Sequence, residues 1–328
     1  MRYKAAIIGC GKIGSEYAND PKIKDIYTHA GAYTSCANTE LVAICDANAE
    51  KAKQCKDRWS VPEAYTDYDV MLREMDLDIV SVCTPDHTHF EIIRTILESS
   101  RVKAVLAEKP LALHILDAQE LVDLANEKGI TLAVNYSRRY AEQMNVLKKE
   151  IQSETYGDIQ VINGYYTKGI FHSGTHWLDL SRFLLGEYLM VKGFDNLKEC
   201  NDDPSYDMYA KFECGASAFL HACDANKFSI FEMDIIGSTG RIYIKDSGHV
   251  VEIYKQGESP YYSDYYTLNP ADILTGVMKD TLLHAVEDLV LCLNTDKKPR
   301  CSGADGVAAI RIANAVRQSV ESGESVVL

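Results

Sequence analysis

Tyr3-Lys4-Ala5-Ala6-Ile7-Ile8-Gly9-Cys10-Gly11-Lys12-Ile13-Gly14 is the stretch that decides the fold. Its first half is a β-run and its second half has the spacing G-x-G-x-x-G. A glycine triplet alone is weak evidence. This one leaves a strand directly and is expected to open a helix. Gly9 permits the tight turn, Gly11 lets the backbone approach a pyrophosphate, and Gly14 lets the helix pack close to the sheet. Lys12 and Ile13 fall at the expected helix start, where unpaired N–H groups and the positive dipole end attract phosphate. The competing reading is a glycine-rich structural turn, and the β/α units that follow weigh against it.

Outward from this turn, Glu40–Cys45 reads as a second strand. Asp78–Cys83 reads as a third, after a helical stretch over Asp69–Met75. Val102–Leu106 and Thr131–Val134 follow, separated by a helical stretch over Leu111–Lys128. Short apolar runs joined by such helices indicate right-handed crossovers and a doubly wound parallel sheet, an α/β Rossmann domain over residues 1–136. Asp46 ends the second strand, where a carboxylate accepts both ribose hydroxyls of NAD and repels a 2′-phosphate. No Arg follows in residues 47–50, which favours NAD over NADP. Asp46 can also cap a helix over Glu50–Asp57, and the two roles are compatible. Its distance from the glycines exceeds the usual ~20 residues, and the excess is assigned to Tyr17–Thr28. The third strand ends in Cys83-Thr84-Pro85-Asp86-His87-Thr88-His89, at the carboxyl edge where doubly wound folds bind ligands. Thr84, Pro85, His87 and His89 are therefore expected to contact the cofactor.

After residue 136 the pattern changes. A helix over Ala141–Ile151 precedes alternating, tyrosine-rich runs at Asp158–Lys168, Tyr188–Phe194, Asp207–Phe212, Ala216–Ala222, Ser229–Ile236, Arg241–Lys245 and His249–Tyr254. They predict a second domain, residues 137–328, with an open and mostly antiparallel sheet. Helices are expected at Thr175–Leu185, Asp280–Leu293 and Gly303–Glu321. The run Tyr261-Tyr262-Ser263-Asp264-Tyr265-Tyr266 reads as a Pro-flanked loop used for surface or interface packing, with an aromatic platform for a sugar ring as the second reading.

Composition removes whole classes of function. The 328 residues are 46% hydrophobic and 25% charged, with a formal net charge of −14. That balance suits a two-domain globular chain. Its acidity disfavours binding to nucleic acid or anionic membranes. Apolar runs are strand-sized, far from the ~20 residues that span a bilayer, and the N-terminus lacks the features of a signal peptide. A cytoplasmic protein is expected. The ten cysteines contain no CxxC pair and no zinc-finger spacing, so they read as free structural thiols, and no metal is expected.

Two clusters can carry chemistry. Glu108-Lys109-Pro110 follows the strand Val102–Leu106, so Glu108 and Lys109 point at the nicotinamide crevice. There a lysine can hydrogen-bond a substrate hydroxyl and shift its proton. The alternative is a surface Lys–Glu pair. In Gly174-Thr175-His176-Trp177-Leu178-Asp179, His176 and Asp179 share one helix face and could be a base with its orienting carboxylate. The alternative is a surface ion pair. Just upstream, Tyr166 and Lys168 are expected on one face of a strand, where a ring and a cation suit a polyhydroxylated substrate. Arg138 and Arg139 add charge at the domain junction, for the substrate or for inter-domain salt bridges.

These residues carry a resemblance. The chain resembles the Gfo/Idh/MocA family of NAD(P)-dependent oxidoreductases over nearly its whole length. The match comprises GCGKIG, the AEKPLA block (107–112), the GTHWLDLSRFLLGE block (174–187), the IIGSTGRI turn (235–242) and the helix over Gly303–Ser319. The resemblance implies a Rossmann domain, then a domain with an open sheet, and oligomers packed through those sheets, so a homodimer or homotetramer is expected. It implies that Lys109 and His176 act on the substrate hydroxyl, with Asp179 in support, and that Lys109–Pro110 is a candidate cis bond. There is one departure. Many sugar and inositol dehydrogenases of the family carry Asp four residues before that His, and here the position holds His172, read as a substrate contact. The implied activity is NAD-dependent hydride transfer at a secondary hydroxyl or ketone of a sugar, cyclitol or sugar nucleotide. The alternative is a non-catalytic NAD-sensing regulator on the same fold.

Overall fold

Ala5 to Ile8 are almost fully buried because β1 (Tyr3–Ile8) lies between two parallel neighbours, β2 (Thr39–Cys45) and β4 (Ile79–Val82). β3 (Glu63–Tyr65) pairs beyond β2, and β5 (Ala104–Ala107) and β6 (Thr131–Val134) extend the other side. The strand order β3-β2-β1-β4-β5-β6 is the doubly wound arrangement expected of a Rossmann domain. Its helices are α1 (His29–Ser35), α2 (Ala49–Trp59), α3 (Tyr68–Glu74), α4 (His89–Glu98) and α5 (Ile115–Lys128). The computed structural model describes every residue except Met1, Ser100, Cys200 and Asp296, so one of the ten cysteines lies outside the described residues.

The helix expected directly after the glycine turn is not there. A turn and a short 3-10 segment, Glu16–Asn19, follow instead, and α1 starts only at His29. The hydrogen bonds show what happened. His29 N–H donates to the Ile13 carbonyl (3.0 Å) and Ala30 N–H to the Gly14 carbonyl (3.0 Å), the bonds that residues 17 and 18 would make in an unbroken helix. Tyr17–Thr28 is thus looped out of one helix. Asp46 follows Gly14 by 32 positions. Removing those twelve restores the usual interval of about 20.

The second segment of the chain builds α6 (Glu142–Gln152), β7 (Ile159–Tyr166), α7 (Thr175–Leu185) and strands β8 (Tyr188–Phe194), β9 (Asp207–Phe212), β10 (Ser217–Ala222), β11 (Phe231–Gly237), β12 (Gly240–Lys245), β13 (Val250–Glu258) and β14 (Tyr266–Thr275). The chain then forms α8 (Thr281–Asn294), α9 (Gly303–Ser322) and β15 (Val326–Val327). The sheet order is β14-β13-β12-β11-β7-β10-β9-β8-β15. In this sheet, among the described residues, β7 and β10 alone pair in parallel.

The tyrosine run is a loop, as expected, and forms the tip of a β13–β14 hairpin with Tyr266 already in β14. The strand after it was not expected. β14 escaped notice because it carries Pro270, which a strand accepts only at an edge or a bulge. Here it has both, since β14 pairs with β13 alone in that sheet and the register shifts at Ile253/Tyr254, where Pro270 pairs. The division of the chain is not into consecutive blocks 1–136 and 137–328. The compact units are Met1–Tyr140 with Lys279–Val307, and Ala141–Met278 with Ala308–Leu328. The return has a cause. The apolar side chains of α8 (Leu282, Val286, Leu289) are buried, and the helix packs on α1, β5 and β6. Cys301 continues the edge by accepting from Val134 N–H (3.0 Å).

In the second unit α7 sits close on the sheet because β7 has a glycine beneath it. The fully buried Trp177 donates its indole N–H to the Glu232 carbonyl (3.1 Å), lying over Gly164. A Cβ on Gly164 would lie 2.0 Å from the indole nitrogen. Neither the indole nor the strand can yield that distance, so Gly164→Ala is expected to cost about 3 kcal/mol or more, the upper end of overpacking. A urea titration followed by tryptophan fluorescence measures it. A midpoint equal to wild type would refute the packing account.

Candidate active site

The glycine turn is shaped by contacts with its own scaffold. Gly9 has φ +99°, and a Cβ there would lie 2.6 Å from the Cys83 carbonyl carbon. A Cβ on Gly14 would lie 2.1 Å from the Gly9 carbonyl oxygen, so this glycine closes the turn on itself rather than spacing a helix from the sheet. Gly11 differs from both: a Cβ there would meet no atom within 4 Å. The backbone at Gly11 is therefore a surface that a ligand can approach, which fits the cradle of a pyrophosphate. Lys12 is exposed and Ile13 half-buried beside it.

Asp46 stands at the end of β2. Its Oδ2 accepts from Cys10 N–H (2.8 Å) and its Oδ1 from Asn48 N–H (2.8 Å). It therefore locks the glycine turn to the second strand. The helix cap foreseen at Asp46 is made by Asn48, whose Oδ1 accepts from Glu50 N–H (3.0 Å) and Lys51 N–H (3.2 Å). A carboxylate offers about four lone-pair sites, so two remain for ribose hydroxyls. The residues present fit NAD.

The looped-out segment is held near both ends. Arg58 donates to the Ala18 carbonyl (3.3 Å) and Ile26 N–H to Asp280 Oδ1 (2.9 Å), and just before the segment Trp59 donates to Ser15 Oγ (2.9 Å). Tyr17 and Tyr27 meet edge to face, with ring centroids 5.6 Å apart. Thr28 caps α1 through its Oγ1, which accepts from Gly31 N–H (3.1 Å).

At the carboxyl edge Thr84 is half-buried, and Pro85 and His87 are exposed. His89 is placed differently from the expectation. It is fully buried, and its ring nitrogens lie 2.7 Å from the Pro110 carbonyl oxygen and 2.9 Å from the Thr84 carbonyl oxygen. The ring staples two loops together and does not face a ligand.

Lys109 is half-buried, and its bond to Pro110 is cis. Glu108 beside it is buried, and its Oε1 accepts from Asn135 Nδ2 (2.6 Å) and from His29 Nε2 (2.9 Å). Burial alone would push the Glu108 carboxyl up. The His29 hydrogen bond, with help from Asn135 and the charge of Lys109, counters burial and holds it below the ordinary glutamate value. The stability this contributes is therefore present above the ordinary carboxylate range and is lost as pH falls through the depressed value. Asn135 is 5% exposed and its Oδ1 has no hydrogen-bond partner. A buried orphan acceptor costs about 1–3 kcal/mol, so this amide is oriented for Glu108 at the expense of its own carbonyl. Neither His29 nor Asn135 was foreseen. The signal for His29 was hidden by the twelve extra residues.

In the second unit His176 is half-buried and Asp179 is 2% exposed, three positions apart on α7. His172 is exposed within a π-helical turn, Gly169–Gly174. Asp203, also missed, builds that turn: its carboxylate accepts from Phe171 N–H (2.9 Å) and His172 N–H (2.8 Å). Gly169 makes room for it, since a Cβ there would lie 2.1 Å from Asp203 Oδ2. The pairing of Tyr166 with Lys168 on one strand face does not hold. Tyr166 is fully buried; its hydroxyl donates to the Tyr206 carbonyl (2.9 Å) and accepts from Tyr206 N–H (2.8 Å). Lys168 lies beyond the strand end at φ +70° and is exposed. Arg138 and Arg139 are both buried, and Arg139 pairs with Asp305 (3.1 Å) inside the first unit, not across a junction.

The family described as "Oxidoreductase family, NAD-binding Rossmann fold" matches residues 3–136, and its companion, "Oxidoreductase family, C-terminal alpha/beta domain", matches residues 166–328. The chain is similar to the myo-inositol 2-dehydrogenase of Thermotoga maritima, with 24% identity over 99% of this chain and 98% of that protein. Levoglucosan dehydrogenase, solved in complex with NADH, shares the fold with TM-score 0.83 and 19% identity, over 100% of this chain and 99% of the other. The WlbA dehydrogenase from Bordetella pertussis, solved with NADH and UDP-GlcNAcA, does so with TM-score 0.79 and 18% identity, over 100% and 99%.

The glycines separate fold from binding. Gly11→Ala is expected to leave stability nearly unchanged and weaken NADH by about tenfold or more, the scale of one lost bond to a charged group. Gly9→Ala is expected to cost more than about 2 kcal/mol of stability through backbone strain and collision. Thermal melts and fluorescence titration with NADH distinguish the two, and equal behaviour would contradict the assignment. For the staple, His89→Phe keeps an aromatic ring but removes its ring nitrogens. It is expected to cost about 1–3 kcal/mol, by leaving a buried carbonyl unsatisfied. A urea midpoint within error of wild type would count against it.

Proposed function

The chain belongs to the Gfo/Idh/MocA oxidoreductase family, with an NAD-binding Rossmann domain and a C-terminal alpha/beta domain. From that premise we propose that it moves a hydride between NAD and a secondary hydroxyl or ketone of a sugar, cyclitol or sugar nucleotide. It is an NAD-dependent dehydrogenase acting on CH–OH groups. The observation that carries the finer reading is Lys109, half-buried after β5 at the carboxyl edge of the sheet, beside a Glu108 carboxylate held by two donors. Similarity over almost the full length to a myo-inositol 2-dehydrogenase supports a polyhydroxylated substrate.

When bound, NAD supplies the hydride acceptor, and the protein supplies position and proton handling. The turn Gly9–Gly14, with Gly11, Lys12 and Ile13 at its open side, would hold the pyrophosphate, and Asp46 the adenosine ribose. Thr84, Pro85 and His87 line the same edge. Lys109 Nζ donates a hydrogen bond to the substrate oxygen and carries the proton that leaves or joins it. In the second unit His176 is assigned a proton-handling role, with Asp179 in support. Lys168 and His172 are assigned to the substrate hydroxyls. Tyr166 is withdrawn from that set, because its hydroxyl is spent on the backbone of Tyr206.

The test is a screen of cyclitols, aldoses and sugar nucleotides with NAD, followed by nicotinamide absorbance. Turnover is expected with at least one class. With that substrate, Lys109→Ala is expected to lower kcat by about 10²-fold or more, the scale of a positioned proton-transfer group, and to leave NADH affinity nearly intact. NADH binding without turnover on any polyol would overturn the proposal. Loss of NADH binding with turnover preserved would overturn the role of Lys109.

A further inference from the structure

Behind Lys109 lies a line of buried polar side chains that the reaction as described does not use. His29, at the start of α1, is fully buried. Its Nε2 is 2.9 Å from Glu108 Oε1 and its Nδ1 is 2.9 Å from Ser81 Oγ, on β4. Ser81 Oγ is in turn 2.7 Å from the hydroxyl of Tyr33, one turn further along α1. Ser81 and Tyr33 are also fully buried.

Counting hydrogens fixes the direction of this chain. An ionised carboxylate only accepts, so Nε2 carries a proton and donates to Glu108. If Nδ1 carried one too, Ser81 Oγ would have to accept it. The Ser81 and Tyr33 hydroxyl hydrogens would then share a single contact, leaving one buried O–H without an acceptor. With Nδ1 bare, every hydrogen is used: Tyr33 O–H donates to Ser81, Ser81 O–H to His29 Nδ1, and His29 Nε2–H to Glu108. Asn135 supplies the second donor to the same carboxylate oxygen (2.6 Å) and leaves its own Oδ1 unsatisfied.

We propose that Tyr33, Ser81, His29 and Asn135 form a one-way hydrogen-bonded support that keeps Glu108 ionised and oriented beside Lys109, which makes His29 and Asn135 positioning residues for the Lys109 ammonium. The inference rests on the reading of Lys109 as the group that handles the hydroxyl proton. The charge of Glu108 favours the ammonium form, the form that gives its proton to the substrate oxygen when a ketone is reduced; when a hydroxyl is oxidised, the neutral amine accepts the hydroxyl proton and Glu108 stabilises the ammonium so formed. Among the described residues, the titratable and charged groups coupled to Glu108 include His29 from α1, Cys83 just after β4, Tyr27 from the looped-out segment and Lys109 beside it, with Arg138 coupled to Tyr27. Burial pushes Cys83 and Tyr27 up, which keeps both neutral. The neutral His29 contributes a hydrogen bond and no charge. The charged groups among these are Glu108, Lys109 and Arg138.

Two spectroscopic readouts on the intact apo protein test this without turnover. Nitrogen-15 spectra of histidine-labelled protein at neutral pH should show His29 as a single tautomer, protonated at Nε2 and bare at Nδ1. Carbon-13 spectra of lysine labelled at Cε, with Lys109 assigned through Lys109→Met, should show Lys109 losing its proton at least one pH unit lower in Glu108→Gln and in His29→Leu. His29→Gln, whose amide N–H reaches the place of Nε2, should restore most of the wild-type titration. Glu108→Gln is isosteric and keeps the test open should His29→Leu fail to fold. A doubly protonated or Nδ1-protonated His29 would overturn the proposal. So would a Lys109 titration that is the same in wild type and Glu108→Gln. Absence of polyol turnover would instead defeat the enzymatic reading and leave both spectra as they are.

Discussion

Two backbone hydrogen bonds, from His29 N–H to the Ile13 carbonyl and from Ala30 N–H to the Gly14 carbonyl, hold the first unit's site together. α1 has only seven residues, well below the ~12–15 at which an isolated helix becomes even marginal in water. It stands because it does not have to nucleate. The turn Gly11–Gly14 is already helical in its bonding, and α1 picks up its free carbonyls after a detour of twelve residues. Thr28 then caps it, and α8 packs on its side. One consequence is chemical. The first residue of the resumed helix is His29, so the closure that completes the fold also sets an imidazole against Glu108.

The detour explains which parts of the first unit were legible in the sequence. The strands were, because buried parallel strands read as short apolar runs whatever happens between them. The identity of Asp46 as the end of β2 was legible from the strand alone. The start of α1 was not. A reader of the local pattern places the helix directly after Gly14, and nothing in Glu16–Tyr27 says that it resumes later. The stapling role of His89 was equally hidden, because its partners are backbone carbonyls of Thr84 and Pro110, and a carbonyl has no letter in the sequence. The same holds for Tyr166, which alternation placed on a face with Lys168, whereas its hydroxyl is bonded at both ends to the backbone of Tyr206.

In the second unit the constraint is a pair of glycines. Gly164 lets the indole of Trp177 lie on β7, and Gly169 lets the carboxylate of Asp203 reach the N–H groups of Phe171 and His172. Together they fix both ends of the segment from the strand to α7, and with it the helix turn that carries His176 and Asp179. The helix itself was readable over its true bounds, Thr175–Leu185, because a long amphipathic segment is a strong local signal. The π-helical turn before it was not. It depends on Asp203, some thirty positions away in sequence, and a side chain that caps a distant loop leaves no periodic trace.

Natural sequences break local rules where function needs it, and the broken rules here cluster. Asn135 buries a carbonyl without a partner, and three consecutive buried side chains, Ser81, His29 and Glu108, are polar where an apolar core would pack as well. A single buried polar group of this kind is costly because the low local dielectric magnifies any bond left unmade. A fully ordered chain avoids that cost at every link but the last, and the last is Asn135. The expense therefore falls on the residue that contributes only orientation, while Glu108 receives two donors on one oxygen. Such an arrangement makes sense if the charge at Glu108 matters more than the stability of the pocket, and the half-buried Lys109 next to it is the group for which that charge matters.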